Sequence, residues 1–128
     1  MTQPGGRLAI LLWSATPERP ELLAAPFVYA AAAAALDAEV EMHFAGRAVR
    51  LLVAGEAAHL RSPDRGKQSI DVFMRQAAAV GARMLACSAA LAEHVAPGET
   101  MVEEYSGAAG AAAFAQRALD PQWRTLVF

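Results

Sequence analysis

Gly81-Ala-Arg-Met-Leu-Ala-Cys-Ser-Ala-Ala-Leu-Ala-Glu-His94 decides the fold. Arg83–Cys87 is short, mostly apolar and bounded by Gly81, the pattern of a strand covered on both faces. Ser88–Val95 follows at once with helix formers and stops before Pro97-Gly98. On the other side, Ser69–Val80 places Ile70, Phe73, Met74 and Ala77 at helical spacing, and Gly81 closes that helix. A helix, an apolar strand and a second helix in immediate succession are the unit of a parallel sheet sandwiched between helices.

Working outward, the same alternation continues. Arg7–Trp13 reads as a buried strand. Pro20-Glu21 opens a helix that runs to about Leu36, with Pro26 either kinking it or resetting its start. Ala38–Phe44 alternates apolar and polar residues as a strand does. Arg47–Val53 reads as a short helix ending at Gly55, and Glu56–Gly66 as a polar, mobile loop. Met101–Tyr105 is either a short strand or a loop. Gly107–Leu119 reads as a last helix with Phe114 as its large core residue, and Trp123–Phe128 as a terminal strand. The expectation is a flexible tail over residues 1–6 and one α/β domain over residues 7–128.

Composition narrows the function classes. The chain has 128 residues, 55% hydrophobic and 19% charged, enough for a packed core without staples. The net charge of −2 and the lack of a basic run argue against nucleic-acid binding. The most apolar stretch, Leu22–Leu36, is shorter than the roughly 20 residues needed to span a bilayer, so no membrane insertion is expected. The opening residues lack the pattern of a signal peptide. A single cysteine can form neither an internal disulfide nor a thiolate zinc site, which suits a reducing, cytoplasmic setting.

Sites in open α/β sheets lie at the carboxyl ends of strands. Three such places stand out: Ser14, Phe44-Ala-Gly46 and Cys87-Ser88. At the start of a helix a thiolate at Cys87 would be favoured by backbone N–H groups, with Ser88 as a plausible N-cap. The competing reading is that Cys87 is a small core residue, because free cysteine is among the most buried types. His43, His59 and His94 are scattered and no metal site or cofactor is expected. Glu103-Glu104 and the Arg61, Arg65, Lys67 group read as solvated loops. Trp13 and Trp123–Phe128 read as core or as a subunit interface.

Gly81-Ala-Arg-Met-Leu-Ala-Cys87-Ser resembles the Gly-Val-x-Ile-x-Ala-Cys-(Ser/Thr) stretch of the DsrE/DsrF-like sulfur-relay family. Pro20–Phe44, Gly46–Leu52 and Glu103–Phe114 are similar to further segments of that family, so the likeness covers about Arg7 to Phe128. It implies a three-layer α/β/α sandwich with a mainly parallel five-stranded sheet. It also implies trimers, hexamers or paralogous hetero-oligomers. In members with relay activity a cysteine takes sulfane sulfur as a persulfide from a donor protein and passes it to an acceptor. The resemblance gives that role to Cys87, and the strand-end reading puts Ser88, Ser14 and Gly46 around the bound group. The alternative is a small-ligand-binding or assembly module of the same fold with a structural cysteine.

Overall fold

The computed structural model describes residues 5–128. Five strands, β1 (Arg7–Leu12), β2 (Glu39–Phe44), β3 (Arg83–Ala86), β4 (Tyr105–Ala108) and β5 (Trp123–Val127), form one sheet in the order β4-β3-β2-β1-β5. Every neighbouring pair is parallel. Between the strands run α1 (Ala24–Ala35), α2 (Ile70–Ala79), α3 (Ser88–His94) and α4 (Ala111–Leu119). Residues 1–4 of the expected tail lie outside the described residues. From Gly6 onward the chain is tied in, because the Gly6 carbonyl accepts the Glu39 N–H at 2.9 Å.

Side chains of parallel strands alternate between faces. On one face Ile10, Leu12, Met42, Phe44 and Met84 are fully buried against α1 and α2, with Phe27 of α1 and Met74 of α2 among the residues that cover them. The Phe27 and Phe44 rings lie 6.0 Å apart between centroids. On the other face α4 packs on β1 and β5, which completes the α/β/α sandwich.

Local chemistry sets the helix boundaries. Pro20–Leu22 is a separate 3₁₀ turn, and Pro26 falls in the first turn of α1, where its missing N–H has no intrahelical role. Pro26 therefore resets the helix start. Just past the C-cap of α1, Asp37 turns the chain at a φ of 68°, a left-handed conformation that Asp tolerates.

The short helix expected over Arg47–Val53 is a 3₁₀ helix at Gly46–Leu52. Two readings of the sequence need correction. The last helix starts at Ala111, because Tyr105–Ala108 is strand β4. A register shift beside Met84, with the Ser106 hydroxyl accepting the Met84 N–H at 3.3 Å and Gly107 at φ 131°, accommodates that strand. Finally, the Glu56–Gly66 stretch is not a purely solvated loop: it holds two 3₁₀ turns and the fully buried Ser62.

Ser62 replaces the cap that α1 lacks. No side chain caps α1 locally, and the Ser62 hydroxyl accepts the Ala24 N–H at 3.0 Å while donating to the Pro20 carbonyl at 2.6 Å. Ser62→Ala is expected to lower the unfolding free energy by about 1–2 kcal/mol in a urea titration. An unchanged midpoint would show that these bonds are not holding the loop to the helix.

Candidate functional site

Glu41 and His43 give β2 its alternation, and both are buried on the α4 face, at 2% and 4% exposure. Two arginines and the imidazole surround the Glu41 carboxylate. Arg117 of α4 binds it in bidentate fashion at 3.0 and 2.9 Å, His43 Nε2 lies 3.1 Å from Oε1, and Arg83 lies 3.8 Å from Oε2. Arg117 also stacks over Trp123 of β5, 4.2 Å from the ring centroid. α4 has no fully buried residue, and only Ala113, Phe114 and Arg117 are partly covered. The expectation of Phe114 as a core residue is corrected accordingly: it is half-buried and meets His43 edge-on at 5.3 Å.

Burial pushes the Glu41 carboxyl up, but the hydrogen bonds from Arg117 and His43 outweigh it and hold it below the usual carboxylate range. Burial likewise lowers His43, against the raising effect of Glu41. The pair is therefore a carboxylate and a neutral imidazole at pH 7. Since a carboxylate only accepts, Nε2 carries the proton and Nδ1 is left as an acceptor.

At the carboxyl ends of the strands these elements enclose a pocket of about 360 Å³. Its walls come from Leu11 and Trp13 at the end of β1, His43–Gly46 of β2 and its exit, Cys87 with Ala89, Ala90 and Glu93 of α3, and Ala109, Gly110, Ala111, Phe114 and Ala115 leading into and along α4. Cys87 is half-buried and free. Its N–H donates to the Phe44 carbonyl at 2.9 Å, continuing the β2–β3 ladder, and its carbonyl accepts the Leu91 N–H at 2.9 Å. His43 pairs with Leu85, and Cys87 is two residues further on, so His43 and Cys87 share one face of the sheet. Arg50 fixes α3 from behind: it donates to the His94 carbonyl at 3.0 Å and to Glu99 at 2.6 Å, and also binds Glu56.

The structure brings Cys87 and Gly46 to the same pocket. Gly46 adopts φ 53° beside the Trp13 ring, whose nearest atom would lie 3.8 Å from an added Cβ. Ser14 and Ser88 are exposed and off the pocket wall. The Ser14 N–H donates to the Phe128 carbonyl at 3.0 Å, which ties that loop to the end of β5. Ser88 is not the N-cap. The extended backbone of Cys87 occupies the cap position, so Ser88 is the first helical residue. The Glu41–His43–Arg117 group was not anticipated. The polar side chains of Glu39, Glu41 and His43, alternating with apolar ones along β2, were the one signal for it. Among the described residues no three His, Cys, Asp or Glu side chains gather as metal ligands, and no helix is long and apolar enough to cross a membrane.

Fold and site together define a parallel α/β protein with a single thiol in a pocket at its strand ends. The family model for the DsrE/DsrF-like family matches residues 8–128. The chain belongs to that family, whose members generally act in sulfur relay with partner proteins. No curated protein matches the chain in sequence.

The clasp makes stability depend on pH. Below about pH 6.5 an unfolded imidazole takes up a proton that folded His43 resists, so stability falls on acidification. Glu41 adds stability that is present above its ordinary value of 4.5 and is lost as pH falls through its lowered folded pKa. The urea midpoint is expected to drop between pH 7 and 5, and His43→Phe to flatten that drop. An equally steep profile in the variant would assign it to other groups.

Removing the charge is expected to cost more. Glu41→Gln leaves Arg117 without its carboxylate and should destabilise by about 2 kcal/mol, less than for a fully buried pair because Arg117 retains 36% exposure. Urea unfolding at pH 7 measures this.

Proposed function

We propose that the protein is a sulfur carrier in which Cys87 holds sulfane sulfur as a persulfide and hands it to a partner protein. The observation that carries the reading is the placement of the chain's one cysteine, half-buried, on the wall of the strand-end pocket in a DsrE/DsrF-like chain. The Cys87 thiolate attacks the terminal sulfur of a donor persulfide. A new S–S bond forms, the donor's S–S bond breaks, and the donor leaves as a thiolate. Attack by an acceptor thiolate on the outer sulfur reverses the step and frees Cys87. With no second cysteine in the chain, release to another molecule is the route open to the cargo. The N–H groups at the start of α3, Ser88 among them, together with Gly46 and Ser14 just past β2 and β1, would lie around the cargo where it meets its partner. Such a thiol chemistry suits a reducing, cytoplasmic compartment.

Trp13, just past β1, and Val127 of the edge strand β5 are large apolar residues at 62% and 63% exposure. Their exposure supports assembly into a homo-oligomer or with paralogues, and the family resemblance implies trimers or hexamers. A second reading, a non-catalytic binding module, draws on Cys87 packing against the buried core cluster.

Loading separates the two. Incubation with a sulfane-sulfur donor should add the mass of one sulfur atom to the intact protein, reversibly by reductant, and Cys87→Ala should gain none. No added mass, or equal addition to the variant, would sink the carrier reading.

A further inference from the structure

His43 Nδ1 is the buried side-chain polar atom without a hydrogen-bond partner among the described residues. The His43 side chain is only 5% exposed, yet it forms part of the pocket wall. A lone acceptor in that position is costly, by an amount comparable to a lost hydrogen bond, unless something in the pocket donates to it. The ring cannot turn to relieve this, since Nε2–H is committed to Glu41, which Arg117 holds in turn. Glu41 lies towards the amino end of β2. The two nitrogens of an imidazole diverge, so with Nε2 turned to Glu41 the free Nδ1 is turned away from it, on a ring that forms part of the pocket wall.

The remaining wall sets the rest of the ligand. Leu11, Phe114 and a series of alanines make it apolar, and neither Lys nor Arg lines it. Glu93, with its side chain 76% exposed, puts the pocket's one carboxylate there, which disfavours anions. The volume of about 360 Å³ falls at the lower end of small-molecule sites. We infer that the pocket binds a small, neutral, mainly apolar molecule that donates one hydrogen bond, from a hydroxyl, an N–H or a thiol, to His43 Nδ1. This site goes beyond the carrier reading, because it requires no sulfur on Cys87.

Indole and benzofuran test it, being close in shape and differing in the N–H donor. With the reduced, unloaded protein, titration should show indole binding about five- to tenfold more tightly. In protein labelled with ¹⁵N-histidine, indole should move the His43 Nδ1 resonance and benzofuran should leave it in place. His43→Phe should remove the preference while keeping weak binding of both. Equal affinities, a preference that survives His43→Phe, or an Nδ1 resonance unmoved by indole, as for a pocket holding only water, would overturn the inference. The nitrogen resonance is read on the unaltered protein and decides the matter even if the variant does not fold.

Discussion

The arrangement of one face of this protein depends on a single buried carboxylate. Glu41 sits in the middle of a parallel sheet, where an unpaired charge would be untenable. Arg117 reaches it from α4, crossing 76 residues of sequence, and His43 completes its shell. The bidentate bond fixes where α4 lies along the sheet. That in turn places Phe114 over His43 and closes the pocket on the α4 side. The same bond fixes the imidazole tautomer, so one ion pair determines a helix position, a cavity wall and the direction of an acceptor.

The two faces of the sheet are held by different physics. α1 and α2 cover theirs with large apolar side chains such as Phe27 and Met74, in the manner of any close-packed core. α4 contributes no fully buried side chain and relies on the ion pair, the stacking of Arg117 on Trp123 and the edge contact of Phe114. The pocket forms on this less densely covered face. There, small residues at Ala109, Gly110 and Ala111 leave space that larger ones would fill.

The elements with strong local signals were legible in the sequence. β1 and β3 are apolar runs between glycine and turn residues, and α2 shows its buried face by spacing alone, so their positions follow from pattern. The boundary of β4 was not legible. Tyr-Ser-Gly-Ala has neither alternation nor β-branched residues, and its pairing with β3 uses a shifted register that only the neighbouring strand dictates. Ser62 and Arg50 were missed for a similar reason, since their partners are 38 and 44 residues away. For the site, the strand-end rule located Cys87 and Gly46 on the pocket wall. It could not distinguish them from Ser14 and Ser88, whose side chains are exposed to either side of it. His43 was visible only as one of three scattered histidines, because its meaning comes from Arg117 on an element whose start was misplaced.

The bareness of α4 has a bearing on how much freedom the chain retains. Of its nine residues only Ala113, Phe114 and Arg117 face inward, and the other six meet solvent or the pocket mouth. In informational terms the helix is specified by about one turn's worth of letters, and the rest of its surface is unwritten. Residues such as Gln116, Ala118 and Leu119 can therefore be rewritten without disturbing the ion pair that holds the helix in place.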